Sequence, residues 1–143
     1  MSSSYKYLAF ITYAHKDEER ATWLRRKLEN FRIPRNLIGK DGLYGPIPNR
    51  LYPIFRDRDE LAGSAQLGPL IEQALRDSSH LVVLCSPHAV RSRWVNEEIR
   101  LFKAMGKADR VLCIVLDGEP MAEDINGDPE EECLPLARQK KSR

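Results

Sequence analysis

No run in the sequence approaches the roughly 18 consecutive apolar residues that a membrane-spanning helix requires. The opening MSSSYKYLAFI also lacks the basic start and the apolar stretch of roughly 7 to 15 residues that mark a cleavable leader. Charge of one sign is missing as well: 23 Lys and Arg stand against 21 Asp and Glu, a net charge of +2, without the basic excess of a dedicated nucleic-acid binder. Cysteine is scarce, and Cys85, Cys113 and Cys133 show no C-x-x-C spacing, so a disulfide framework is not expected and reduced, buried thiols are. His15, His80 and His88 have no metal-ligand spacing with one another or with the cysteines, and no metal site is expected. No internal repeat is present. What remains is an ordinary globular unit of 143 residues, expected in the cytoplasm with neither a membrane nor a nucleic-acid partner.

What the sequence has is alternation. Short apolar runs alternate with amphipathic stretches, the pattern of βαβ units around a parallel sheet, which places the chain in the α/β class. YLAFITY (residues 7–13) reads as a first strand covered on both faces. Asp17 is placed to cap a first helix, whose core stripe is Ala21, Leu24, Leu28 and Phe31. Residues 32–50, with Gly39, Gly42 and Gly45 as punctuation, read as a long loop. LYPIF (51–55) is a short second strand whose Pro53 suits an edge. A charged loop follows, then a helix with the stripe Leu67, Leu70, Ile71, Ala74 and Leu75. HLVVLC (80–85) is the third strand, 90–105 a third helix stopped at Gly106, and 110–116 a fourth, buried strand. Residues 1–120 form the expected domain, and 121–143 an irregular acidic and then basic segment.

On the third helix, a rotation of about 100° per residue puts Val95, Ile99 and Phe102 on one apolar face, with Trp94, Glu98 and Met105 along its shoulder and Glu97 opposite. A carboxylate beside an apolar stripe is either paired, with Arg91 and Arg93 as candidates, or held for use in a cleft. In open parallel sheets ligands bind outside the carboxyl ends of the strands. Those ends are Tyr13-Ala14-His15, Phe55-Arg56-Asp57, Ser86-Pro87 and Asp117-Gly118, and they are expected to converge near Trp94 and Glu98. Asp57, Asp59 and Glu60 could meet a hard cation, but Arg56 and Arg58 interleave with them, which favours a solvated loop.

The segments FITYAHKDE (10–18), IFRDRDELAGS (54–64), LCSPHAVRSRWVNEEI (84–99) and VLCIVLDGEP (111–120) together resemble a Toll/interleukin-1 receptor (TIR) domain, of the bacterial NAD-cleaving type. The resemblance implies a flavodoxin-like three-layer fold, a parallel β-sheet with helices on both faces. It implies that Glu98, in the W-x-x-x-E pattern begun by Trp94, is the catalytic residue, with NAD+ as substrate and no further cofactor. Tyr13, Ala14, His15, Phe55, Arg56 and Trp94 then line the substrate site. Some family members carry a pair of basic residues where Ala14-His15 stands here, and no pattern for a fifth strand and last helix follows Pro120. The family's BB loop corresponds to residues 56–66, where Arg56, Asp57, Arg58, Asp59, Glu60, Leu61 and Gly63 are expected to mediate weak assembly with other TIR domains.

Nicotinamide in NAD+ is already cationic and leaves neutral, so one carboxylate can suffice where ordinary glycosidases need two. Glu98 would stabilise the developing oxocarbenium ion, with Trp94 and Tyr13 as aromatic walls. Water would give ADP-ribose, and attack from within the same molecule a cyclic isomer. The expected role is bacterial immune or stress signalling. The alternatives are a non-catalytic TIR scaffold for homotypic interaction and a nucleoside deoxyribosyltransferase-like enzyme.

Overall fold

Apolar, aromatic and β-branched side chains in YLAFIT can be buried on both faces of a sheet, and this run is strand β1 (Tyr7–Thr12) at its centre. The computed structural model describes residues 5–56, 68–118, 120, 122 and 127–135. On one side β1 pairs in parallel with β4 (Ile54–Arg56), Phe10 opposite Phe55; on the other it pairs with β5 (Ser78–Cys85), Phe10 opposite Leu81. Strand β6 (Val111–Val115) adds to β5, so the order is β4-β1-β5-β6, all parallel. A separate two-stranded hairpin, β2 (Asp41–Gly42) and β3 (Gly45–Pro46), forms within the segment expected as pure loop.

The alternation of side chains along β1 divides the core into two layers. Ala9, Ile11 and Tyr13 pack with Val82, Leu84 and the Ala21, Leu24 and Leu28 face of α1 (Glu18–Glu29). Phe10 packs on the other side with α2 (Pro69–Arg76), α3 (Pro87–Arg91) and α4 (Arg93–Phe102), through Leu75, Ala89, Val95, Ile99 and Phe102. Helices therefore lie on both faces of the parallel sheet. Ile54 N–H donates to Glu29 Oε2 at 2.9 Å and Leu8 N–H to the Pro53 carbonyl at 2.8 Å, which secures the short edge strand β4 at its start.

Several expectations need correction. Phe31 and Leu70 are 53% and 85% exposed, because α1 ends at Glu29 and Leu70 lies in the first turn of α2, off its buried face. The single helix expected over 90–105 is two, broken at Ser92, whose extended backbone and hydroxyl cap the Val95 N–H of α4. Asp17 sits at the start of α1 but makes no side-chain cap; its carboxylate turns inward to Ser86. Strand β6 is not fully buried: Leu112 is 53% and Val115 47% exposed, since it is the last strand among the described residues. Gly106 does stop the helix, with φ of +82°. None of the three cysteines is in a disulfide; Cys85 and Cys133 are buried, and Cys113 is half-buried.

After Gly106 the chain returns Lys107 beneath α2, where its ammonium donates to the carbonyls of Leu75 at 2.9 Å and Ser78 at 2.8 Å and lies 4.4 Å from the Phe102 ring centroid. Burial first, and then the neighbouring Arg110 and Arg76, lower the Lys107 pKa to about 8, with Asp77 opposing. The unfolded chain binds this proton more tightly than the folded one between pH 8 and the ordinary lysine value. Stability is therefore expected to rise with pH across that interval. Urea titrations from pH 8 to 10 check this: the rise should be smaller in Lys107→Met, and an equal rise in both proteins would contradict it.

Candidate active site

Four parallel strands bring their carboxyl ends to one side, and the chain reverses direction across the sheet between β1 and β5, the position where open α/β sheets bind ligands. Thr12 ends β1, and by the alternation that buries Phe10 it faces the α4 layer. There its hydroxyl donates to Glu98 Oε1 at 2.5 Å. Glu98 is only 1% exposed, as deep as its neighbours Ile99 and Val95, and so belongs to the buried face rather than to its shoulder. Glu97, one residue earlier, pairs with Arg100 on the outer face. Arg91, a candidate partner for Glu98, instead meets Glu130 at 2.7 Å.

A second acid is also buried. Asp17, 6% exposed, accepts a hydrogen bond from Ser86 Oγ at 2.5 Å, and Ser86 Oγ in turn accepts from the Ala89 N–H at 3.1 Å. One hydroxyl thus ties the end of β5 to the turn after β1 and starts α3. Two buried acids are thus each held by a hydroxyl at or just after the carboxyl end of one of two neighbouring strands, Thr12 at the end of β1 and Ser86 just after β5.

Tyr13 is buried, and its hydroxyl accepts from Arg56 Nη1 at 3.3 Å. Arg56 also reaches Glu18 at 3.4 Å, joining the ends of β1 and β4 to the first turn of α1. Ala14 is buried, and His15, exposed, begins the 3-10 turn that ends at the buried Asp17. Trp94 is half-buried on α4, one turn before Glu98. The Phe55 ring is stacked 5.0 Å from that of Phe10 and edge-on 5.2 Å from that of Tyr7. Asp57, Arg58, Asp59, Glu60, Leu61 and Gly63 lie outside the described residues. Among the described residues, no three His, Cys, Asp or Glu side chains form a group able to hold a metal ion. No helix among them is long and apolar enough to cross a membrane.

Sequence reasoning missed Thr12 and the Asp17–Ser86 pair. The signal for Thr12 was present, since a hydroxyl two residues after Phe10 in an apolar strand must face the same layer. Ser86 and Asp17 gave none, because 69 residues separate them.

The sequence pattern of the TIR domain family matches residues 9–128. The chain belongs to the TIR domain family. The match runs from within β1 to the segment after β6 and includes Thr12, Asp17, Ser86 and Glu98. This TIR domain is also similar to a protein of Actinoplanes sp. described as NAD(+) hydrolase ApTIR, 36% identical over 115 residues. That similarity covers 80% of this chain but only 14% of the Actinoplanes protein, so the chain spans about a seventh of its relative's length.

Proposed function

We propose that this TIR domain cleaves NAD+ at the bond between nicotinamide and ribose, with Glu98 as the catalytic carboxylate. The observation that carries the proposal is a buried glutamate at the switch point of the sheet, its Oε1 oriented by Thr12. The similarity to an NAD(+) hydrolase supports the choice of substrate. As the bond from ribose C1′ to the pyridinium nitrogen breaks, its electron pair leaves with nicotinamide, which becomes neutral and needs no proton donor. Positive charge grows on the ribose, and Glu98 stabilises it, with Oε2 assigned to a ribose hydroxyl. Water adds to C1′, releases a proton and gives ADP-ribose; attack by another group of the same molecule gives a cyclic isomer. Tyr13, Ala14, His15, Phe55, Arg56 and Trp94 are assigned to the walls of the site.

Glu98 is sealed from solvent, so on this reading binding must open the site. That same burial favours a second reading, in which the domain is a scaffold for other TIR domains and Glu98 a structural acid. Assembly through residues 56–66, and a signalling role in bacterial immunity within the cytoplasm, belong to both. The test is to incubate the chain with NAD+ at high protein concentration, free and clustered on beads, and to follow nicotinamide by chromatography. Release with ADP-ribose or a cyclic isomer is the expected result, and a folded, clustered chain that releases none would favour the scaffold.

Thr12 is a positioning residue on this reading. Thr12→Val keeps the strand's shape and removes only the hydroxyl, and kcat is expected to fall about tenfold, the worth of one hydrogen bond to a charged group. KM should stay within about twofold and Thr12→Ser should restore the rate, since only orientation of the carboxylate is at stake. A Thr12→Val protein with unchanged kcat would remove Thr12 from the mechanism.

A further inference from the structure

The opposite end of the sheet holds a second concentration of chemistry that NAD+ cleavage does not use. Where β1, β5 and β6 begin, a cavity of about 800 Å³ lies between the strands and the β2–β3 hairpin. This is the size of ordinary small-molecule sites. The length of β1 separates it from Thr12 and Glu98, roughly 17 Å at the usual rise per residue.

Its aromatic walls are held in place. Tyr44, from the hairpin, donates its hydroxyl to the Asp109 carbonyl at 3.1 Å and stands edge-on to His80, ring centroids 4.7 Å apart. The Arg110 guanidinium lies 4.4 Å from the Tyr44 centroid and 5.6 Å from that of Tyr5. Its Nη1 donates to Ser79 Oγ at 3.0 Å, and Ser79 Oγ lies 2.9 Å from His80 Nδ1. Among the described residues, neither Arg110 nor Lys107 forms an ion pair with a carboxylate. The local field is positive in consequence. His80 is held below its ordinary pKa, by burial first and then by Arg110, with Asp109 opposing and Lys107 adding. Half-buried guanidinium groups ordinarily have an acidic partner, and stacked on rings they suit flat anions.

We propose that this cavity binds a planar aromatic anion of nucleoside monophosphate size, its ring against the tyrosine walls and its acid group on Arg110. Ring and charge are both required: the apolar part of the lining cannot hold a bare inorganic anion, and a neutral ring leaves the guanidinium without its partner.

The test uses AMP as probe, titrated into the isotope-labelled chain and followed by amide chemical shifts. Saturable shifts at Tyr44, Ser79, His80 and Arg110 are expected, and they should persist in Glu98→Gln. Adenosine and inorganic phosphate should each bind about tenfold more weakly than AMP or worse. Arg110→Met should weaken AMP by a similar factor. If that variant fails to fold, Tyr44→Leu, at the hairpin surface, should show the same loss. Shifts confined to the Thr12 and Glu98 end, no shifts at millimolar AMP, or unchanged affinity in a folded variant would each overturn the proposal.

Discussion

Glu98→Gln is expected to lower the rate of nicotinamide release from NAD+ by about 100-fold or more, which corresponds to about 3 kcal/mol of lost transition-state stabilisation. The substitution keeps size and shape, and the amide oxygen can still accept from Thr12 Oγ1, so packing between Val95, Ile99 and β1 is retained. What disappears is the negative charge opposite the developing cation. Because a buried charge is costly to the folded state, the melting temperature should stay level or rise. Self-association should be unchanged. Loss of release together with an intact melt and intact association identifies Glu98 as the chemical group, whereas release at the wild-type rate would leave it a structural acid.

Gly118→Ala should have the largest effect on stability. Gly118 has φ of +91°, a left-handed conformation that a side chain disfavours, and there is no room for one. An added Cβ would meet the Glu131 carbonyl oxygen far inside contact distance, with Cys133 Cβ at 3.0 Å and Pro87 Cδ at 3.1 Å. The first of these is backbone and cannot rotate away. Either the turn after β6 or the segment around Glu131 must move, at a cost of about 2–4 kcal/mol from strain and overpacking. For a domain of this size that lowers the melting temperature by roughly 10 °C, as thermal unfolding by circular dichroism would read. An unshifted melt would mean that residues 129–133 do not pack on this turn. The contact also bears on the site, since Pro87 follows the Ser86 that holds Asp17.

The layers of the fold were readable because they depend on period. Apolar runs at 7–13 and 80–85 could be buried only between two helical layers, and the stripe Val95, Ile99, Phe102 could face only one of them; all three are fully buried. Glu98 stood out by the same rule, as an acid next to a stripe. Elements that depend on their ends were read less well. Ser92 breaks a helix that period alone carried through, because a hydroxyl cap and an extended backbone leave no mark on hydrophobic spacing. Burial of β6 was overstated for a related reason: an apolar run shows that a strand can be covered, not that a neighbour covers it.

The sequence by itself determined the class of fold and set Glu98 apart as an acid beside an apolar stripe, because each follows from spacing along one element, while the choice of Glu98 for chemistry came from the resemblance to the TIR family. Only the tertiary structure decided which groups hold that acid. Thr12 meets Glu98 across 86 positions of sequence and Ser86 meets Asp17 across 69, and such pairs exist only once parallel pairing brings the ends of β1 and β5 together. The same holds at the far end, where Arg110 lies over Tyr44 across 66 positions (110 − 44) because β6 begins beside β5 and the hairpin folds against both. Hydrogen bonds and ring stacks act over a few ångströms in space, whereas pattern along a chain reports only neighbours a few residues apart.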